Sequence, residues 1–223
     1  MWAMVPEICE PAAAVSSLCA LVEACYLAGG MWGGRGSRGG GGRGIHSTLL
    51  HSGATALPRP QIPSDKVTFD EKPEMKAREI CEAGKAALRS GKYKMVRINF
   101  ANPDMVGHTG DLGAAIKAVQ AVDTSLGRLE RAVRQRGGVL LVTADHGNCE
   151  LMRDPETGGP HTAHTLDLVP ALLVNAPTDV RAFRDGRLAD VAPTLLALLG
   201  LPQPAEMTGV SLIGAPALPQ AAD

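Results

Sequence analysis

Three segments of the chain predict α-helices, one from the period of its apolar residues and two from the residues at their ends. The strongest lies between residues 112 and 133 and is followed by the pair Gly137-Gly138, a pattern typical of an amphipathic helix and its end. Its apolar positions are Leu112, Ile116, Val119, Val122, Leu126, Leu129 and Val133. A second helix is predicted over residues 73–90 and a third over residues 190–199, each closed by a glycine.

Short apolar runs between these helices predict β-strands. They are Met95–Asn99, Val139–Thr143 and Leu168–Val174, with Lys66–Phe69 as a further candidate. Strands that alternate with helices indicate a mostly parallel sheet covered on both faces, so we expect a three-layer α/β fold. Such sheets place their chemistry at the edge where the strands end.

The first 58 residues do not share this pattern. Residues 29–44 are mostly glycine and arginine, a composition that buries too little apolar surface to order itself. We predict a disordered, low-complexity tail over residues 1–58, a domain over 59–216 and a short tail over 217–223. Arg35, Arg38 and Arg43 leave open a weak single-stranded nucleic-acid contact, and the acid-free stretch 35–59 leaves open an organelle-targeting segment.

Composition narrows the classes of partner. A net charge of -1 and an aromatic content of 3% argue against a nucleic-acid-binding or membrane-surface protein. The five cysteines are odd in number and form no Cys-x-x-Cys pair, which argues against a disulfide framework and a zinc ribbon. A reducing compartment, the cytoplasm, is therefore predicted, with Cys149 as a small buried thiol.

Three polar clusters lie beside the predicted strands. Asp104 and His108 follow the first strand, Asp145 and His146 follow the second, and His161 and His164 precede the last. Aspartate and histidine without cysteine suit manganese, zinc or magnesium. If the clusters meet at one sheet edge, they predict a site for one or two divalent ions, a pair of which would clamp a phosphoryl group.

Each of these residues also has a plainer interpretation. An Asp and a His four positions apart are also typical of a solvated pair or a helix cap. His161 could be a residue that hydrogen-bonds to a metal ligand without touching the ion, or it could be a surface residue. Asn102 and Asn148 could orient ligands or cap loops, and Gly107 and Gly147 could allow close backbone approach or a positive φ.

The same motifs resemble those of a known family. Residues 99–110 (Asn-Phe-Ala-Asn-Pro-Asp-Met-Val-Gly-His-Thr-Gly), 143–148 (Thr-Ala-Asp-His-Gly-Asn) and 160–165 (Pro-His-Thr-Ala-His-Thr) closely resemble the cofactor-independent, 2,3-bisphosphoglycerate-independent phosphoglycerate mutases of the alkaline phosphatase superfamily. Residues 190–194 and 204–209 also look like that family's closing segment. The resemblance runs from about Gln61 to Gly214.

This resemblance implies a glycolytic isomerase that interconverts 3-phosphoglycerate and 2-phosphoglycerate through a phosphoserine. It implies two divalent ions, manganese before magnesium, zinc or cobalt. By motif match Asp104, His108 and His164 would hold one ion, and Asp145 and His146 would contribute to the other. Its alkaline phosphatase-like fold agrees with the α/β prediction.

In that family an upstream stretch supplies the serine nucleophile, a further aspartate and an inserted substrate-binding domain. No segment of this chain matches that stretch, so no catalytic serine is nominated. The chain is expected to be the carboxyl-terminal, metal-binding portion, with a missing amino-terminal half as a possible partner. The alternatives are another phosphatase or phosphomutase of the superfamily and a non-catalytic metal-binding fragment.

Overall fold

The computed structural model describes residues 62–214 in full, together with the backbone of two strands at 22–27 and 48–51. The strands are β1 Val22–Leu27, β2 Thr48–His51, β3 Tyr93–Phe100, β4 Val139–Thr143, β5 Ala171–Val174, β6 Ala182–Phe183 and β7 Ile213–Gly214. The helices are α1 Ala77–Ser90, α2 Asn102–Gly107, α3 Leu112–Gln135 and α4 Val191–Leu198, with a 3-10 turn at Leu188–Asp190.

Three of the four described helices correspond to the segments predicted to be helical, and α2 was not among those segments. α3 starts after Asp111, whose side chain accepts a hydrogen bond from the Ala114 backbone N–H at 2.8 Å, a normal amino-terminal cap. α1 ends at Gly91, which has a φ of 66°, a value that glycine adopts without strain. α1 begins at Ala77, later than predicted, because Met75 has a φ of 43° and interrupts the helical backbone.

The α/β class is confirmed, but the strand pairing differs from the expected mostly parallel sheet. The main sheet has the order β2-β3-β1-β4-β5, and every described pair within it is antiparallel. β3 and β4 run parallel to each other, as two strands joined through helices do, but β1 lies between them. The segment between β4 and β5 contains no helix, and β5 returns antiparallel.

Two of the four predicted strands needed correction. Lys66–Phe69 forms bends and turns, and Val67 remains 47% exposed. Asp65 makes salt bridges to Lys72 at 2.6 Å and Lys76 at 2.5 Å, which hold this segment in a compact turn. The last predicted strand begins only at Ala171, directly after Pro170, which has no N–H to donate to a sheet.

Two short segments of the amino-terminal region belong to the main sheet. Residues 22–27 and 48–51 pair with β3, and residues 22–27 also pair with β4. The backbone groups along the edges of β3 and β4 need partners, and the paired strands supply them. The rest of residues 1–58 and the tail 217–223 lie outside the described residues, so the domain boundaries stay predictions.

The core lies between the helical layer and the sheet. α1 packs on β3 and on α3, and the apolar face of α3 contributes Val122, Leu129 and Val133, each at most 1% exposed. β4 is buried along its whole length. This packing fixes the ends of β3 and β4, from which the polar loops leave. Among the helices of the described residues, none combines the length and apolarity needed to cross a membrane.

A network of hydrogen bonds holds the carboxyl-terminal segment against the start of α4. We call this network the clamp, and it consists of Asp190 and Thr194 with residues 210–212. The Asp190 carboxylate accepts from the backbone N–H groups of Arg187 and Val210, each at 2.8 Å. Thr194 Oγ1 donates to the Asp190 carbonyl at 2.7 Å and accepts from the Leu212 N–H at 2.8 Å. Gly209 passes so close that a Cβ there would lie 2.0 Å from the Ala189 carbonyl oxygen.

Candidate metal centre

Three loops meet at one edge of the sheet. β3 and β4 point their carboxyl ends toward this edge, and the antiparallel β5 begins there. The first loop continues into α2, which carries Asp104 and is followed by His108. The second carries Asp145 and His146, and the third carries His164. The expected convergence therefore occurs, although through a different strand pairing.

Asp104, His108 and His164 direct one atom each at a common point. His164 Nε2 lies 2.9 Å from Asp104 Oδ1 and 3.0 Å from His108 Nε2. His108 Nε2 lies 3.2 Å from Asp104 Oδ1. Ligand atoms about 2.1 Å from a shared ion and roughly at right angles are about 3 Å apart. The three atoms therefore have the mutual spacing of ligands to one divalent ion.

Hydrogen bonding leaves the His108 ring in the form that binds a metal. His108 Nδ1 lies 2.6 Å from the Thr162 carbonyl oxygen, and a carbonyl can only accept, so Nδ1 carries the proton. Nε2 of the neutral ring then has a free lone pair directed at Asp104 and His164. A histidine that binds a metal usually donates its other ring N–H to a carbonyl or a carboxylate in this way.

His146 belongs to the same group, whereas Asp145 lies at its margin. The His146 ring stacks on the His164 ring with 3.7 Å between centroids, and ligand atoms of Asp104, His146 and His164 all lie within 4.8 Å of one another. We call Asp104, His108, His146 and His164 the His–Asp cluster. Asp145 Oδ1 is 3.5 Å from His146 Nε2, and its side chain is 43% exposed.

The buried side chain of Asn148 helps to hold the Asp104 carboxylate in place. It is fully buried, and its Nδ2 donates to Asp104 Oδ1 at 3.2 Å. The amide packs on Gly107, where a Cβ would lie 2.1 Å from Asn148 Oδ1. Glycine is required at 107 because any side chain would displace the amide that touches the carboxylate.

The other predicted site residues lie apart from the cluster. Asn102 is buried and donates to the carbonyls of Pro73 and Glu74 at 3.0 and 2.8 Å, so it anchors the first loop to the segment before α1. His161 has a buried Nδ1 with no hydrogen-bond partner among the described residues. Cys149 is buried and donates to the Pro103 carbonyl at 2.7 Å.

Two supporting groups were missed by the reasoning from sequence. The Thr162 carbonyl holds His108, and a backbone carbonyl leaves no signature in a sequence. Glu150 contacts the backbone N–H of Asn148 at 2.6 Å and the hydroxyl of Thr165. Glu150 comes two residues after the end of the Asp145–Asn148 motif, and this position was a usable signal. A carboxylate so close in the sequence can accept a hydrogen bond from the backbone of the loop.

Comparison with known proteins identifies the family. The sequence matches the Metalloenzyme superfamily over residues 51–203, more than half of its length. The chain belongs to this superfamily. The alkaline phosphatase-like α/β domain predicted from the sequence is thereby confirmed, and it is the domain that presents the His–Asp cluster.

The similar members of the metalloenzyme superfamily carry the name that the motifs suggested. The chain is 59% identical over 175 residues to a 2,3-bisphosphoglycerate-independent phosphoglycerate mutase of Rhodopseudomonas palustris, covering 76% of this chain and 34% of the relative. It is 60% identical over 153 residues to one of Gluconobacter oxydans, covering 68% and 30%. The predicted resemblance is confirmed, and the chain spans about a third of the length of these relatives.

A solved structure gives the same result. A crystal structure of the Leishmania mexicana phosphoglycerate mutase at low cobalt concentration matches with a TM-score of 0.65 and 44% identity, over 70% of this chain and 31% of that one. The superfamily and the His–Asp cluster together indicate a divalent metal site.

Proposed function

We propose that this chain is the metal-binding portion of a 2,3-bisphosphoglycerate-independent phosphoglycerate mutase. In this role it serves the glycolytic interconversion of 3-phosphoglycerate and 2-phosphoglycerate in the cytoplasm. The observation that carries the proposal is the convergence of Asp104, His108 and His164, whose ligand atoms lie 2.9–3.2 Å apart. The relatives' shared name supports the substrate, a phosphorylated glycerate.

The residues present fit a two-ion site in which one ion is held more completely than the other. Asp104, His108 and His164 would hold the first ion. Asp145 and His146 would contribute to a second, with manganese the proposed metal at both. Bound ions would neutralise charge on a phosphoryl group. The chain's own residues hold the ligands in place, since Asn148 orients Asp104 and the Thr162 carbonyl orients His108.

The nucleophile is proposed to come from the part of the relatives that lies outside the match. The serines with described side chains are Ser64, Ser90, Ser125 and Ser211, and none of them hydrogen-bonds to the His–Asp cluster. Phosphoryl transfer depends on positioning and charge from several groups. We therefore propose a second polypeptide portion, equivalent to the unmatched two thirds of the relatives, as the partner.

Complementation tests this proposal. The full chain is mixed with a polypeptide containing the unmatched residues of the Rhodopseudomonas relative, with manganese present. Exchange between 3-phosphoglycerate and 2-phosphoglycerate is then followed by phosphorus NMR. We expect exchange in the mixture, none from either polypeptide alone, and none when the chain carries Asp104→Ala. Glu156→Ala, at an exposed turn, is the control and should exchange normally.

Other results would favour the other candidate functions. Hydrolysis or transfer of phosphate from a phosphopentose, with none on phosphoglycerate, would assign the chain to another branch of the superfamily. Manganese binding without phosphate transfer in the complemented mixture would indicate a non-catalytic metal-binding protein.

A further inference from the structure

Glu150 joins two of the loops that carry the His–Asp cluster. Its Oε2 accepts from the Asn148 backbone N–H at 2.6 Å, and its Oε1 accepts from the Thr165 hydroxyl. Both oxygens therefore face protein groups. Glu150 is partly buried, and a charge-assisted hydrogen bond to a carboxylate is roughly twice as strong as a neutral one.

The backbone around this contact is fitted to it. The Thr165 N–H donates to the Gly147 carbonyl at 2.9 Å, and the two residues form an isolated bridge. A Cβ at Gly147 would lie 2.1 Å from both Glu150 Oε1 and Thr165 Oγ1. The absence of a side chain at 147 is therefore what lets Glu150 reach Thr165.

The two ends of this contact are each next to proposed metal ligands. Thr165 directly follows His164, and Asn148 lies two residues after His146. The Asn148 side chain in turn donates to Asp104 Oδ1. One carboxylate thus connects the loop that carries His146 to the loop that carries His164, and it holds the backbone of the residue that orients Asp104.

We propose that Glu150 is a positioning residue that sets the spacing of the metal ligands by holding the His146 loop against the His164 loop. This inference rests on the proposed metal site, which it extends to a residue that does not itself face the ion. The contact acts through geometry. Its removal lets the loops separate, so the imidazoles and the carboxylate no longer present their atoms about 3 Å apart.

The test uses cobalt as the probe, with the full chain and three substitutions. Glu150→Ala removes both contacts, and Glu150→Gln keeps a group that can accept from the Asn148 N–H and donate to the Thr165 hydroxyl. Glu156→Ala is the matched control, because it removes one negative charge from the same segment at an exposed residue of which only the backbone N–H is hydrogen-bonded among the described residues. Cobalt affinity is measured by calorimetry, and the visible cobalt spectrum reports the ligand geometry.

We expect Glu150→Ala to weaken cobalt binding by about 10- to 100-fold, the usual range for residues that support metal ligands, and to change the spectrum. Glu150→Gln should recover most of the affinity and the original spectrum, and Glu156→Ala should match the unaltered chain. Equal affinity and spectrum for Glu150→Ala and Glu156→Ala would overturn the positioning role. Failure of the unaltered chain to bind cobalt would overturn the proposed metal site as well.

A second pair of variants covers the case in which Glu150→Ala does not fold. Thr165→Val removes the hydroxyl and leaves the contact between Glu150 and Asn148, whereas Thr165→Ser keeps the hydroxyl. Weaker cobalt binding and an altered spectrum in the valine variant alone would support the proposal. Unchanged binding in both would overturn it. Thermal unfolding of the metal-free variants separates a change in metal binding from a general loss of stability.

Discussion

Asp104 and Asp190 are both aspartates near the first turn of a helix, yet their surroundings differ. The Asp190 carboxylate accepts hydrogen bonds from the backbone N–H groups of Arg187 and Val210, and the residue is 6% exposed. Asp104 Oδ1 instead meets the side chains of His108, His164 and Asn148. A carboxylate satisfied by backbone donors stabilises the fold, whereas one that faces imidazole nitrogens at the end of a sheet has the surroundings of a metal ligand.

The two regions also differ in what surrounds their polar atoms. In the clamp, Thr194 is fully buried and its hydroxyl is both donor and acceptor. In the His–Asp cluster, two ring nitrogens lie 3.0 Å apart, and a nitrogen pair of this kind has at most one proton between them. A carboxylate oxygen and imidazole nitrogens gathered around one point are the donor set that divalent metals bind.

Replacing Asp104 should produce the largest effect. Asp104→Asn removes the negative charge of a proposed metal ligand, so we expect manganese affinity to fall on the order of 100-fold or more. Metal-free stability should be nearly unchanged, because the Asp104 carboxylate contacts side chains and not backbone N–H groups. Calorimetric titration and thermal unfolding without metal measure the two quantities. A large loss of metal-free stability would show that Asp104, like Asp190, holds the fold.

Replacing Thr194 should give the converse result. Thr194→Val keeps the shape of the side chain but leaves the Leu212 N–H without its acceptor, so we expect a loss of about 1–3 kcal/mol in the free energy of unfolding. Manganese affinity should stay within experimental error. Denaturant unfolding is the measurement, with Thr194→Ser as the control that keeps the hydroxyl. Equal stability of the valine and serine variants would contradict the clamp.

Lowering the pH should give the smallest of the three effects, a change in the stability that Asp190 contributes to the clamp. Backbone N–H groups, first of Val210 and then of Arg187, hold the pKa of Asp190 below its ordinary value of 3.8. A depressed pKa in the folded state adds stability at pH values above 3.8, and this contribution is lost as the pH falls toward the folded value. Asp190→Asn should therefore flatten the decline in stability below that pH.

Denaturant unfolding at pH 6, about pH 4 and about pH 3 would measure this difference. Asp123→Asn, on the exposed face of α3, is the matched control, and its stability should fall with pH as in the unaltered chain. Depressed pKa values at Asp65 and Asp154 are common to all the variants and cancel in the comparison. Identical curves for Asp190→Asn and the unaltered chain would show that the backbone donors contribute nothing at acid pH.

The helices and two strands were predictable because their signals are local. The apolar spacing of residues 112–133 and the buried run Val139–Thr143 match α3 and β4, since side chains at those periods must face one core. The sheet pairing was not predictable in the same way. The position of β1 between β3 and β4 is decided by which strand edges remain open, and no local pattern records this.

The sequence by itself determined the chemical character of the site, because aspartate and histidine at 104, 108, 145, 146 and 164 offer the oxygen and nitrogen donors that divalent metals bind. Only the tertiary structure decided that Asp104, His108 and His164 direct their ligand atoms at one point. It also decided that Asp145 contacts His146 instead, and that Glu150 and the Thr162 carbonyl support the ligands. Distances between loops far apart in the chain depend on how the core orients the strands, and that is a property of the packed molecule.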